Sequence, residues 1–126
     1  MNPKEPMQHL VDVDGLRAAL EAFAAERDWQ PFHNPKNLVL ALVGEVGELA
    51  EIFQWLSPAA SAAAASNPDT AQAVRDELAD VLLYLVRLAD VLGVDLDAAA
   101  RAKMRTNAVK YPAERFRGSS RKYDTP

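Results

Sequence analysis

Two pairs of acidic residues, each spaced three residues apart, are the part of this sequence best suited to chemistry. They are Glu45 with Glu48 in the stretch GEVGELAE, and Glu77 with Asp80 in the stretch DELADVLLYL. Residues three apart lie on the same side of an α-helix, so each pair would present two carboxylates side by side. Carboxylate oxygens are the ligands that Mg²⁺ and Mn²⁺ prefer. The spacing therefore indicates a site for a hard divalent cation.

The helical phase of these acids distinguishes them from ordinary surface acids. Within roughly 60° of Glu45 on a helical wheel lie the apolar residues Leu38, Leu42, Leu49 and Leu56. Within a similar arc around Glu77 lie Val74, Val81, Leu88 and Leu92. Glu51 lies at roughly 240° from Glu45 and provides an exposed contrast. Buried carboxylates close together repel each other or take up protons, and a cation removes that conflict. The alternative is that runs such as ELAE and DELAD form the solvated face of an amphipathic helix.

Length and composition limit the class of protein. A chain of 126 residues, 49% hydrophobic and 25% charged, fits one globular domain. The sequence contains no cysteine, which excludes disulfides and thiol nucleophiles. A net charge of −4 argues against a surface for duplex nucleic acid, although free nucleotides remain compatible with a metal site. No stretch reaches the roughly 20 apolar residues of a membrane span, and residues 1–11 lack the apolar core of a secretory signal. We expect a cytoplasmic location.

Four main helices have to position the acids, and no stretch alternates as a strand would, so the predicted fold class is all-α, a four-helix bundle-like protomer. The predicted helices are 13–28, 35–56 after the Asn34–Pro35 cap signal, a third from Asn67–Pro68 to Leu92, and a fourth from the Asp95 cap to Lys110. Residues 57–67 form an alanine-rich connector, as a loop or a short extra helix. The predicted division is a flexible N-terminus at 1–11, the helical domain at 12–112 and a basic mobile tail at 113–126.

An oligomer is expected from the third helix. Leu83 and Val86 lie outside its main apolar stripe, at roughly 240° and 180° from Glu77. A single small bundle cannot cover both surfaces, so a second copy of the chain would have to do so. The alternative is that these are scattered surface apolar residues.

Other residues are suited to a nucleotide. A Mg²⁺ site made of carboxylates usually shares the phosphates of a substrate, which favours a polyphosphate, and a glycine-rich P-loop is missing from the sequence. Lys103, Asn107 and Tyr111 follow one another at intervals of four residues, which aligns an ammonium, an amide and a phenol. Trp29, Trp55 and Tyr84 are candidates for stacking on a base, although core or interface packing is the usual role of such rings. If the second and third helices are antiparallel, Trp55 and Tyr84 diverge from the metal in opposite directions. A base that touches both would then lie between protomers.

Taken together, these motifs resemble a known family. GEVGELAE, DELADVLLYLV, KMRTN with KYP, and GSSRKY, preceded by WQPFHNPKNLVLAL, are similar to the all-α nucleoside triphosphate pyrophosphohydrolases of the MazG-like superfamily, most closely its dCTP pyrophosphatase branch. The resemblance covers nearly the whole chain, from about Leu16 to Tyr123. It implies a homotetramer that cleaves a dNTP to dNMP and pyrophosphate by attack of water at the α-phosphorus. It also implies that Mg²⁺, with Mn²⁺ as a substitute, is held by Glu45, Glu48, Glu77 and Asp80. The nucleotide would be bound by Trp29, His33, Trp55, Tyr84, Lys103, Asn107 and Tyr111.

Two departures from the family and several alternatives bear on this interpretation. Leu20 stands where close relatives have a histidine near the base, which leaves open whether dCTP, a 5-modified dCTP, dUTP or a broad set of non-standard dNTPs is preferred. The connector at 57–67 is rewritten as alanine-rich sequence. His33 could simply be a residue at the entry of the second helix. A di-iron carboxylate bundle would need Glu-x-x-His pairs, which neither His9 nor His33 provides. A non-catalytic helical interaction module is the remaining alternative.

Overall fold

The chain is all-α, which confirms the predicted fold class. The computed structural model describes residues 11–122 and Asp124, and no strand occurs among them. The helices are α1 at Val13–Glu26, α2 at Pro35–Phe53, α3 at Pro58–Ala62, α4 at Ala71–Leu92, α5 at Leu96–Lys110 and α6 at Ala113–Phe116, with a 3₁₀ turn at Gln30–Phe32 between α1 and α2. None of these helices is long and apolar enough to cross a membrane.

The helix ends follow the local capping signals of the sequence. The Asn34 side chain accepts a hydrogen bond from the backbone N–H of Asn37 and begins α2, with Pro35 in the first turn. Asp12 and Asp95 cap α1 and α5 in the same way. Gly93 ends α4 with φ of 71°, a left-handed conformation that glycine adopts without a steric penalty. The predicted starts of α1, α2 and α5 and the predicted end of α4 are thus confirmed.

The start of α4 was predicted three residues too early. The Asn67 side chain accepts from the backbone N–H of Asp69, only two residues on, and closes a tight turn instead of capping a helix. The hydroxyl of Thr70 donates to the carbonyl of Ala64, and α4 begins at Ala71. The connector at 57–67, expected as a loop or a short extra helix, contains the short helix α3, which is capped by Ser57.

The chain divides into two compact units, of which Asp12–Val94 contains both acidic pairs. In this unit α2 and α1 both pack against α4. The core includes Leu38 of α2, Val74 and Val86 of α4, and Ala24 of α1, each at most 5% exposed. Val86 is therefore buried within the chain. The argument that led from Leu83 and Val86 to an oligomer is wrong, because these residues are not exposed on the outer face of α4.

The second unit includes Asp95 and the described residues after it, so the division falls inside the domain expected at 12–112. The ring of Phe116 in α6 is 8% exposed and contacts the Tyr111 ring edge to face at 4.9 Å. The guanidinium groups of Arg115 and Arg121 each lie 5.3 Å from the centre of the Phe116 ring. The segment expected to be a mobile tail therefore begins with a helix that buries an aromatic side chain.

Candidate metal and nucleotide site

Three of the four predicted acids meet between α2 and α4. Glu45 and Glu48 lie one turn apart on α2, and Glu77 comes from α4. One carboxylate oxygen from each of them lies within 4.8 Å of the other two. Glu45 and Glu77 are half-buried, whereas Glu48 is exposed. We call these three residues the carboxylate cluster. The packing of α2 on α4 brings them together because both helices place acids inside their apolar stripes.

Two oxygens of the carboxylate cluster are buried without a partner. Oε2 of Glu45 and Oε2 of Glu77 have no hydrogen-bond donor within the described part of the protein. Burial raises the pKa of Glu77 to about 7, and the adjacent Glu45 and Glu48 raise it as well. Burial also raises the pKa of Glu45, and the charges of Glu48 and Asp80 act in the same direction. An acceptor buried without a donor is costly, so the cluster is destabilising in the absence of a positive charge.

A hard divalent cation fits this donor set. The three side chains offer only oxygen ligands, two of their oxygens are unpaired, and no lysine or arginine forms an ion pair with them among the described residues. Asp80 lies outside the three-residue group, yet its charge is close enough to raise the pKa of Glu45. The fourth predicted acid therefore lies next to the cluster rather than within it.

A pocket opens beside Asp80 in the same unit, with a volume of about 190 Å³. Its walls come from α1, the turn that follows it, and α4. They are formed by Leu20, Phe23, Trp29, His33, Asp80, Leu83, Tyr84 and Arg87. The volume is below the roughly 300–1,000 Å³ of typical ligand sites, so the pocket can enclose one ring system but not a whole nucleotide. We call it the aromatic pocket, because Trp29 contacts Phe23 edge to face at 5.7 Å and His33 at 6.3 Å.

A buried arginine lines the aromatic pocket. Arg87 is 5% exposed, and its Nε–H donates to Nδ1 of His33 at 2.9 Å. Its other bonds are to acids: it donates to Oε2 of Glu21 and forms an ion pair with Asp90 at 3.5 Å. The guanidinium group holds the pKa of Glu21 below its usual value. Burial and then the charge of Arg87 lower the pKa of His33, so the imidazole is neutral at pH 7.

The predicted nucleotide-binding residues are divided between several places. Trp29, His33 and Tyr84 line the aromatic pocket together with Asp80, all within one chain. Tyr84 therefore lies beside Asp80 without any contribution from a neighbouring protomer. Trp55 follows α2 and is 88% exposed, outside this pocket.

The predicted phosphate and base contacts on α5 belong to the second unit. Lys103 and Asn107 are exposed on this helix. Tyr111 follows the end of α5 and packs against Phe116.

The sequence interpretation missed Arg87 and its partner Glu21, and it treated Leu20 only as a departure from relatives. A usable signal was present on α4. Asp80, Leu83, Tyr84 and Arg87 follow the spacing i, i+3, i+4 and i+7, which places them on one side of the helix. An arginine in phase with a candidate metal ligand and a candidate stacking ring could have been recognised as part of the same site. Glu21 had no comparable signal, because its partner is 66 residues away in the sequence.

The chain is similar to several known proteins. The model of the MazG-like family matches residues 41–125, a range that contains both acidic pairs. The chain is 52% identical to dCTP pyrophosphatase 1 of Rattus norvegicus over 118 residues, which cover 94% of this chain and 68% of the rat protein. It is 51% identical to dCTP pyrophosphatase 1 of Homo sapiens with the same coverage. The crystal structure of a pyrophosphatase from Archaeoglobus fulgidus matches with a TM-score of 0.73 and 36% identity, over 86% of this chain and 99% of that chain.

Proposed function

This chain belongs to the MazG-like family, and from that premise we propose that it hydrolyses dCTP, or a 5-modified dCTP, to the nucleoside monophosphate and pyrophosphate. The observation that carries the proposal is the carboxylate cluster, with its two unpaired buried oxygens, beside the aromatic pocket. The cluster suits a cation that carries phosphates, and the pocket suits the ring of a base. The dCTP pyrophosphatases of rat and human support the choice of substrate, since each is about half identical to this chain.

In the proposed site, Glu45, Glu48 and Glu77 hold Mg²⁺, with Asp80 as the fourth acid. Mn²⁺ would be a substitute, because both ions prefer oxygen ligands. When bound, the cation neutralises charge on the phosphates and makes a water molecule easier to deprotonate. Residues of α2 and α4 would hold the cation together, and the half-buried positions of Glu45 and Glu77 would limit competition from bulk water.

The proposed bond changes are those that the family resemblance implies. A carboxylate of the set that is not engaged in coordination accepts a proton from the attacking water. The water oxygen forms a bond to the α-phosphorus, and the bond between this phosphorus and the bridging oxygen breaks, so pyrophosphate leaves with the bonding electrons. The base lies in the aromatic pocket, where Trp29 and Tyr84 provide rings for stacking. Lys103, Asn107 and Tyr111 are further proposed nucleotide-binding residues, as the family resemblance implies.

We also propose that the chain forms a homo-oligomer, with the tetramer as the expected form. The argument no longer depends on Leu83 and Val86 but on other apolar residues. The outer faces of α2 and α4 carry seven large apolar side chains that are 39–62% exposed: Val39, Leu40, Val43, Val46, Leu78, Leu82 and Leu85. An apolar surface spread over two packed helices is typical of a subunit interface. Trp55, 88% exposed, is the residue that we propose to reach the nucleotide of a neighbouring protomer in such an assembly. The cytoplasmic location stays a prediction.

The proposal is tested by incubating the chain with each of the four canonical dNTPs, dUTP and 5-methyl-dCTP, with Mg²⁺, and measuring pyrophosphate. We expect release of pyrophosphate from dCTP and its 5-methyl form at a kcat/KM well above that of the others. Equal turnover of all six nucleotides would contradict the base preference. Absence of pyrophosphate from every one of them would contradict the proposed activity and favour a non-catalytic module.

A further inference from the structure

Arg87 is placed to control the chemistry of a neighbouring residue rather than to bind a ligand itself. Although it lines the aromatic pocket, its guanidinium group is engaged with Glu21, His33 and Asp90. A buried cation needs such partners, and a planar guanidinium group bound on several sides has its orientation fixed. The Glu21 side chain is 50% exposed and the Asp90 side chain 21%, so the acids hold Arg87 from the solvent side.

The bond to His33 determines which of its ring nitrogens carries the proton. A guanidinium group has only donors, so Nδ1 of His33 has to be the acceptor in the bond from Arg87. In a neutral imidazole the proton is then on Nε2. We propose that Arg87 is a positioning residue that holds His33 as the Nε2–H tautomer, and that this N–H donates to an acceptor on the pyrimidine edge of the substrate. The second part of this proposal rests on the proposed function.

The donor on His33 matters because few groups of the aromatic pocket can donate a hydrogen bond. Arg87 is engaged with its partners, which leaves the indole N–H of Trp29 and the hydroxyl of Tyr84 beside His33. Leu20, Phe23 and Leu83 supply walls that form no hydrogen bonds. Asp80 presents acceptors, whereas the carbonyl oxygen O2 and the ring nitrogen N3 of cytosine are themselves acceptors and need a donor. A residue at position 33 that switched between tautomers would offer the base an acceptor for part of the time. By fixing the tautomer, Arg87 makes the pocket complementary to an acceptor edge.

The tautomer is measured directly by NMR on protein labelled with ¹⁵N in its histidines. The chain has two of them, His9 and His33, so His33→Phe identifies the signals. Long-range ¹H–¹⁵N correlations at pH 7.5 should show His33 with a protonated Nε2 and an unprotonated Nδ1. In Arg87→Met, which keeps the apolar stem but removes every donor, His33 should show averaging with the other tautomer. A proton on Nδ1 in the wild-type protein, or an unchanged His33 spectrum in Arg87→Met, would overturn the proposal.

The matched control is Arg17→Met. Arg17 also forms an ion pair with Asp90, at 3.7 Å, but it forms no bond with His33. Loss of this exposed arginine should leave the His33 signals and dCTP hydrolysis as in the wild-type protein. If Arg17→Met changed the tautomer of His33 as strongly as Arg87→Met, the effect would come from Asp90 or from the loss of one positive charge. The direct role of Arg87 would then be refuted. Should Arg87→Met fail to fold, the wild-type spectrum still shows which ring nitrogen of His33 carries the proton, and a proton on Nδ1 would overturn the proposal.

A double-mutant cycle separates positioning from simple structural support. His33→Phe removes the donor and should raise the KM for dCTP by about three- to tenfold, with a smaller change in kcat. Arg87→Met should raise KM by a similar factor. The double variant should be no worse than His33→Phe alone, because no tautomer is left to fix. Effects on KM that multiply in the double variant would show that Arg87 acts independently of His33. A wild-type protein without dCTP turnover would instead refute the proposed function and the donation to the substrate, while the NMR spectrum would still decide the tautomer.

Discussion

Binding of a divalent cation should release protons, by an amount that depends on pH, because Glu77 is protonated in the metal-free protein at mildly acidic pH. Burial and its neighbours raise the pKa of Glu77 to about 7. A carboxylate has to lose its proton to coordinate a metal. With this pKa, Glu77 should release about 0.9 proton per bound ion at pH 6, about 0.5 at pH 7 and about 0.1 at pH 8. Glu45, whose pKa is also raised, adds to these amounts in the same direction.

Isothermal titration calorimetry with Mn²⁺ or Mg²⁺ measures this quantity. At each pH, the binding enthalpy is compared in two buffers that differ in their own enthalpy of ionisation, and the slope gives the number of protons released. In Glu77→Gln, which keeps the volume but cannot titrate, the dependence on pH should be weaker. The matched control is Glu51→Gln, an exposed acid on the same helix as Glu45, which should behave as the wild-type protein. Equal proton release at pH 6 and pH 8 would refute the coupling of Glu77 to the metal.

The remaining predictions concern stability, activity and assembly. The pKa of Glu77 in the folded state lies above its ordinary value of 4.5, so between pH 4.5 and about 7 the folded state binds more protons than the unfolded state. Glu77 should therefore lower the stability of the metal-free protein as pH rises from about 4.5 to about 7. The difference in thermal unfolding between wild type and Glu77→Gln should grow over the same pH range. Glu48→Gln and Asp80→Asn should each reduce kcat by several orders of magnitude while the circular dichroism spectrum is retained, whereas Glu51→Gln should be nearly silent; equal damage from all three would refute the separation of metal ligands from solvated acids. Trp55→Ala should raise the KM for dCTP by about ten- to a hundredfold if its ring stacks on the base, and an unchanged KM would exclude that contact. Mixed oligomers of Trp55→Ala and Asp80→Asn subunits should regain activity beyond the sum of the two variants, and strictly additive activity in verified mixed oligomers would mean that Trp55 acts within its own chain.

Local signals in the sequence predicted most helix boundaries, because caps depend on bonds between neighbouring residues. Asn34, Asp95 and Gly93 each act over a few residues, and their roles were correctly predicted. Asn67 has the same local pattern, followed by proline, yet its side chain closes a turn two residues long. Which of two local bonds an asparagine forms depends on the path of the connector, in this case on the bond from Thr70 to Ala64.

The carboxylate cluster was predictable for a different reason. Glu45 and Glu77 each fall inside an apolar stripe, and two packed helices have to bring their stripes together. The arrangement around His33 was not predictable in the same way. The hydrogen bond from Arg87 to His33 joins residues 54 positions apart in the sequence. The periodic pattern of α4 does not encode a contact with the turn that precedes α2. The exposed apolar face of α2 was also missed, because the stripe that contains the acids had been taken as the only buried side of this helix. On α4 a second apolar surface was predicted, but from Leu83 and Val86, whereas the exposed apolar residues are Leu78, Leu82 and Leu85.

The most direct test of the central claim is hydrolysis of dCTP in ¹⁸O-labelled water, with the products examined by ³¹P NMR or mass spectrometry. Attack at the α-phosphorus, supported by a cation held in the carboxylate cluster, predicts one ¹⁸O atom in dCMP, none in pyrophosphate, and no reaction after removal of divalent cations with a chelator. Label in pyrophosphate, orthophosphate as the first product, or undiminished turnover without divalent cations would contradict it.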